Sequence, residues 1–124
     1  MGESVKNIDP SQYSPTVLAY LGDAVYELII REMLVREGNR QVQKLHREAT
    51  EYVSARAQAE HAEAIMDRLT DEEKSVYKRG RNANAHGAPK NQELSDYRKS
   101  TGFEAVLGWL YLKGDMERIL ELVE

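Results

Sequence analysis

The 124-residue sequence contains no cysteine, which excludes disulfide bridges and thiolate metal sites and suits a reducing cytosol. No apolar run approaches the roughly 20 residues that a bilayer-spanning helix needs. The first ten residues, MGESVKNIDP, lack the apolar core of a secretion signal. These absences predict a soluble cytoplasmic protein with no membrane partner.

Strand signals are also missing. No segment alternates apolar and polar residues, and there is no internal repeat, linker or low-complexity tract. A chain of this length forms one domain around one core. We therefore expect a single all-α domain over residues 1–124, with residues 1–13 as a poorly ordered lead-in.

Helix start and stop signals divide most of the chain. Ser14 and Pro15 form an N-cap with proline at the first helical position, and Gly38 is the stop signal. An alanine-rich helical stretch covers residues 40–69, within which Ser54 could cap a second helix. Another helix is predicted to begin with the capping box of Thr70 and Glu73.

The C-terminal part is predicted to be helical as well. Gly87, Ala88 and Pro89 interrupt the helical pattern. The pattern returns at Ser95 and ends at Gly114. Asp115 then caps a short amphipathic tail that runs to Glu124.

Charge is unevenly distributed. The formal net charge is −4, yet the segment from Lys78 to Lys99 has six basic and two acidic residues, a net +4 that leaves −8 for the rest. Within it lies RGRNANAHGAPKN (79–91), which has almost nothing to bury. The segment is either a solvated charge run or a surface that binds an anionic partner.

Two acidic residues stand alone on helices that otherwise look buried. Asp23 has no basic residue three or four positions away, and Glu104 is the only charged residue between Lys99 and Lys113. A buried carboxylate without a partner is costly. Gly22 lies next to Asp23, and Gly108 lies one turn after Glu104. Without side chains, both glycines would allow another group to approach the helix backbone closely.

These carboxylates have two interpretations. They could hydrogen-bond to backbone or tyrosine groups, or reach a basic residue on another helix. Alternatively, they share a divalent-cation site. Oxygen ligands without cysteine or a histidine pair favour Mg²⁺ or Mn²⁺ over zinc. His46 and His61 are predicted to be ordinary helix-surface residues.

Three motifs resemble the ribonuclease III family. YLGDAVYEL (20–28) is similar to its signature, RGRNANAHGAPKN (79–91) to its basic loop, and TGFEAVLGWLYL (101–112) to its last metal-binding helix. Their order and spacing cover most of the chain. With the segment SARAQAE (54–60), they most resemble the short Mini-ribonuclease III subfamily, which lacks the double-stranded-RNA-binding domain. We therefore expect no such domain here.

The resemblance implies a dimeric all-α endoribonuclease that cleaves double-stranded RNA with Mg²⁺, leaving 5′-phosphate and 3′-hydroxyl ends, with Mn²⁺ as a possible substitute. Asp23 and Glu104 match the family's catalytic metal ligands. Two other family carboxylates are replaced here by Ala19 and Thr101. This departure leaves the number of bound metals open, and we expect Thr101 to orient a metal-bound water.

The basic segment supplies candidate RNA contacts, because duplex RNA is recognised mainly through its shape, phosphates and 2′-hydroxyls. Tyr20 takes the place of a family phenylalanine at the dimer interface, although an ordinary core aromatic is an equal alternative. The candidate RNA-binding residues are Arg79, Arg81, Asn82, Lys90, Asn91 and Arg98.

The subfamily implies maturation of large-subunit (23S) ribosomal RNA, with a ribosomal protein or pre-ribosomal particle as a further candidate partner. Two other functions remain open. One is a helical RNA-binding module with weak or no catalysis, which the two missing acids favour. The other is a helical adaptor without an RNA partner.

Overall fold

The computed structural model describes residues 9–83 and 92–124. The described part of the chain is all-α, as predicted, and contains no strand. Its six α-helices are α1 (Pro15–Glu37), α2 (Val42–Val53), α3 (Ala55–Ile65), α4 (Asp71–Asn82), α5 (Gln92–Leu112) and α6 (Met116–Val123).

The predicted caps are present. The Ser14 hydroxyl accepts a hydrogen bond from the Val17 amide at the start of α1, and Ser54 accepts one from Ala57 where α2 gives way to α3. Thr70 and Glu73 form the reciprocal capping box of α4. These confirmed boundaries follow from short-range hydrogen bonding, which the sequence encodes directly.

Helix α5 begins three residues before the predicted start at Ser95. The Gln92 side-chain amide donates to Asp96 Oδ1 at 2.9 Å, one helical turn later, which supports the additional turn. The predicted interruption at residues 87–89 lies outside the described residues. Helix α5 is the centre of the fold, since it packs against α1, α3, α4 and α6.

Helix α1 is not buried on all sides, contrary to the sequence prediction. Leu18, Val25 and Ile30 lie in the core, whereas Tyr20 and Leu28 are exposed. Within one chain, the helices packed against α1 cover only part of its circumference. The apolar residues on its other side therefore require a different explanation.

Residues 9–13, the described part of the expected lead-in, contact the helices, and residues 1–8 lie outside the described part. Asp9 caps a 3-10 helix, Pro10–Gln12. Trp109 Nε1 donates to the Ser11 hydroxyl at 3.1 Å. Arg79 donates to the backbone carbonyls of Ser11 and Tyr13 at 3.4 and 3.3 Å, so α4 and α5 both hold this segment.

The prediction for the histidines is half correct. His46 is exposed on α2, as expected. His61 is instead partly buried. Its Nε2 lies 2.6 Å from the Leu122 carbonyl oxygen, and its ring contacts Phe103 edge-on. It joins α3 to α6, and so belongs to the packing of the C-terminal helix.

None of the helices in residues 9–83 and 92–124 has the length and apolarity needed to cross a membrane.

Candidate active site

Helices α1 and α5 cross in backbone contact at two glycines. A Cβ atom at Gly22 would lie 1.7 Å from the Glu104 carbonyl oxygen, and one at Gly108 would lie 2.0 Å from the Leu18 carbonyl oxygen. No side chain fits at either position without moving a helix. The close approach that Gly22 and Gly108 allow is therefore that of the two helices to each other.

This crossing brings the two predicted carboxylates together. Asp23 follows Gly22 on α1, and Glu104 is the residue on α5 whose carbonyl faces Gly22. A pocket of about 200 Å³ opens at the crossing. It is lined by Thr16, Ala19, Tyr20, Asp23, Tyr97, Thr101 and Glu104.

Neither carboxylate has a cationic partner among the described residues. Burial, the negative charge of Asp23 and a hydrogen bond between the two carboxyl groups raise the pKa of Glu104 to about 8. The metal-free pair therefore holds a proton near neutral pH. This is the behaviour expected of two adjacent carboxylates that lack a cation, and these hard oxygen ligands fit a divalent ion such as Mg²⁺.

The two acids differ in their exposure. Glu104 is partly buried, whereas Asp23 is exposed at the mouth of the pocket, so the prediction of a buried Asp23 is wrong. An ion held by both would be open to solvent on the α1 side. That opening leaves room for water and for a substrate phosphate, which Mg²⁺ commonly retains as ligands.

The two substituted positions lie in the same pocket. Ala19 and Thr101 line it beside the carboxylates, where the resemblance places two more acids. Across the described residues, no three Asp, Glu, His or Cys side chains converge on a metal position. The Thr101 hydroxyl donates to the Tyr97 carbonyl at 3.0 Å, which leaves its oxygen free to accept a hydrogen bond from water.

The sequence reasoning missed Gln58. Its side-chain amide, on α3, donates to Glu104 Oε2 at 3.3 Å. Gln58 is 2% exposed, although it lies on a helix face whose other buried members are Ala59, Ala62 and Ile65. A single glutamine among the apolar residues of this helix face could have indicated a buried polar contact from the sequence. Thr16 and Tyr97, which also line the pocket, gave no such signal.

The candidate RNA-binding residues fall into three groups. Arg79, Arg81 and Asn82 lie on the last turn of α4, and Arg98 lies on α5 with its Nε buried and without a hydrogen-bond partner in the described structure. Lys90 and Asn91 lie outside the described residues.

The last turn of α4 lies close to the carboxylate site. A Cβ atom at Gly80 would be 2.9 Å from the Gly102 Cα and 3.1 Å from the Thr101 carbonyl oxygen, so this turn approaches α5 at the level of Thr101. The Arg81 guanidinium lies 5.9 Å from the centroid of the Tyr77 ring, and Arg81 is partly exposed. The basic last turn of α4 therefore packs against the part of α5 that lines the acidic pocket.

A sequence model of the ribonuclease III domain matches residues 16–115, a range that includes both carboxylates and the basic turn of α4. The chain therefore belongs to the ribonuclease III family, which is a family of endoribonucleases.

Within that family, the chain is similar to proteins named Mini-ribonuclease 3. That of Symbiobacterium thermophilum is 48% identical, over 94% of this chain and 89% of its own length. That of a Thermoanaerobacter species is 50% identical, over 90% and 78%. A crystal structure of a Fusobacterium nucleatum protein matches with a TM-score of 0.81 at 30% identity, covering 93% of this chain and 92% of that one. The expected subfamily is confirmed.

We predict that Gly22→Ala and Gly108→Ala each lower the free energy of unfolding by about 1–2 kcal/mol. Alanine gains up to ~1 kcal/mol in helix propensity, but overpacking typically costs ~1–3 kcal/mol, and here the clash is with backbone. Chemical denaturation measures the difference. Ala64→Ser, at an exposed position of α3, is the control and should change stability by less than ~0.5 kcal/mol. Equal stability of the glycine variants and the wild type would contradict the close crossing.

The pH dependence of stability provides a second prediction. In EDTA, the folded protein retains a proton on Glu104 up to about pH 8, whereas the unfolded chain loses it near the ordinary pKa of 4.5. The contribution of Glu104 protonation to the free energy of unfolding is therefore complete below pH 4.5, and it is lost as the pH rises towards 8. Its slope is at most ~1.4 kcal/mol per pH unit and is reduced by solvent screening.

The measurement compares the wild type with Glu104→Gln by denaturation between pH 5 and 8. Glutamine cannot ionise, so the variant should gain stability relative to the wild type as the pH rises. Parallel profiles would show that Glu104 titrates normally in the folded protein.

Proposed function

We propose that this protein is a Mg²⁺-dependent endoribonuclease that cleaves double-stranded RNA at the pocket formed by Asp23 and Glu104. The observation that carries the proposal is the contact between these two carboxyl groups, which have no cationic partner in the described structure. Family membership supports the reaction class, and the similarity to Mini-ribonuclease 3 proteins supports a structured RNA substrate.

Asp23 and Glu104 would hold the ion through their carboxylate oxygens. When bound, Mg²⁺ supplies an activated water and neutralises charge that develops on the phosphate. The Thr101 hydroxyl oxygen lies at the pocket wall and would accept a hydrogen bond from a water, thereby orienting it. Hydrolysis in this family would leave 5′-phosphate and 3′-hydroxyl ends. Mn²⁺, which accepts similar oxygen ligands, is a candidate substitute.

The basic turn of α4 would bind the RNA backbone. Asn82 is exposed and Arg81 is partly exposed, on the turn of α4 that approaches α5 at Thr101. Arg79 also binds the carbonyls of Ser11 and Tyr13, so its charge, more than its donors, is available to a phosphate. Arg98, Lys90 and Asn91 complete the proposed RNA-binding set.

The exposed apolar side of α1 supports a homodimer. Tyr20 is 83% exposed and Leu28 is 65% exposed, so Tyr20 is not an ordinary core aromatic. With Val17 and Val35, they recur at helical spacing along one side of α1. A second copy on this surface would bury them, and two related sites would serve the two strands of a duplex.

The cellular role we propose is maturation of large-subunit (23S) ribosomal RNA in the cytoplasm. A single small domain offers few phosphate contacts, and its RNA binding should therefore be weak and salt-sensitive. A ribosomal protein or pre-ribosomal particle that presents the RNA would compensate for this weakness. The second candidate function, RNA binding without cleavage, is favoured by Ala19 and Thr101, which leave only two acids at the site.

Substitution of the two acids separates these functions. Asp23→Asn and Glu104→Gln should each reduce cleavage of structured ribosomal RNA in Mg²⁺ by about 100-fold or more, because each removes an ionic metal ligand. Glu27→Gln, on the same helix but paired with Arg31 at 2.7 Å, is the matched control and should cleave normally. Gel analysis of both strands gives the rates. RNA binding without cleavage by the wild type would favour the non-catalytic module.

The dimer is tested by Leu28→Glu. The added charge should prevent burial of the α1 surface, so sedimentation should show a monomer where the wild type shows a dimer. Leu120→Glu, at a 44% exposed position on α6, is the control and should remain dimeric. A monomeric wild type, or dimers in both variants, would rule out this interface.

A further inference from the structure

Gln58 is a buried amide on the side of α3 that faces the core. It is 2% exposed, and the other buried residues of α3 are Ala59, Ala62 and Ile65. Burial of an amide is unfavourable unless its polar atoms are hydrogen-bonded. A methionine or leucine would occupy a similar volume without this requirement. The bonds that Gln58 makes should therefore indicate its role.

Both hydrogen bonds of Gln58 come from its Nε2 group. Nε2 donates to the Val53 carbonyl at 3.0 Å and to Glu104 Oε2 at 3.3 Å. The opposite amide orientation would place Oε1 against the Val53 carbonyl oxygen, and a carbonyl can only accept a hydrogen bond. The surroundings thus fix the donor end of the amide towards Glu104.

The acceptor end of Gln58 makes no hydrogen bond within the described structure, although Oε1 is buried. Only the Nε2 end of the amide is therefore hydrogen-bonded, and it connects the α2–α3 junction to the carboxylate site. Val53 is the last residue of α2, and Ser54 caps α3. This junction anchors the amide while its second N–H points at Glu104.

We propose that Gln58 is a positioning residue for metal binding: by holding Glu104 Oε2, it fixes the carboxylate so that its remaining lone pairs face Asp23 and the ion. The role rests on the proposed metal site. Partners that orient metal ligands typically change metal affinity by about 10-fold to 100-fold when they are removed. Because Gln58 is too deeply buried to contact RNA, its effect should be on the ion.

The test measures Mn²⁺ binding to RNA-free protein by electron paramagnetic resonance. Gln58→Met and Gln58→Leu remove the donor but retain an apolar side chain of similar volume. Both should bind Mn²⁺ about 10-fold or more weakly than the wild type, while their melting temperatures in EDTA stay equal or rise. The use of two variants guards against misfolding of one. Cleavage should recover when Mg²⁺ is raised.

Thr50→Val is the matched control, because it removes a side-chain bond to the His46 carbonyl on α2 without touching Glu104. It should bind Mn²⁺ like the wild type. Wild-type affinity in the Gln58 variants would overturn the positioning role while leaving the metal site intact. If wild type and Asp23→Asn bind Mn²⁺ equally, the metal site itself fails, and the role of Gln58 fails with it.

Discussion

The backbone contact between α1 and α5 is the constraint on which the site depends. Gly22 and Gly108 let the helices approach until each glycine Cα faces a carbonyl of the other helix. A wider separation would move Asp23 away from Glu104 and weaken the interaction by which Asp23 raises the pKa of Glu104. Glycine lowers helix propensity by up to ~1 kcal/mol, so these positions exchange local helix stability for a close tertiary contact.

A second glycine crossing places the basic turn of α4. Gly80 and Gly102 bring α4 against α5 near Thr101, within one turn of Glu104. Helix α5 thus uses one side for the acidic pocket and another for the α4 contact. The basic turn of α4 thus packs against the helix that carries Glu104, while neither carboxylate forms an ion pair within the described residues. Gln58 approaches the same helix from α3 and contacts the carboxylate itself.

Most of the helix boundaries were predictable because caps and stop signals act over only a few residues. Ser14, Ser54 and the Thr70–Glu73 box each satisfy nearby backbone amides, and the structure places them as expected. The environment of α1 was predicted less well. The sequence suggested that this helix is buried, but Tyr20 and Leu28 are exposed, because composition alone does not distinguish apolar residues of the core from apolar residues at a surface.

The sequence by itself determined the helical class, the caps and the pair of unmatched acids, since each depends on neighbours within one or two turns. Only the tertiary structure decided which helices pack together and which distant side chains come into contact. Arg79 reaches the backbone 66 and 68 residues before it, and Gln58 bonds to a carboxylate 46 residues away. Such long-range contacts depend on how helices cross, and that geometry follows from packing of the whole chain rather than from any local pattern.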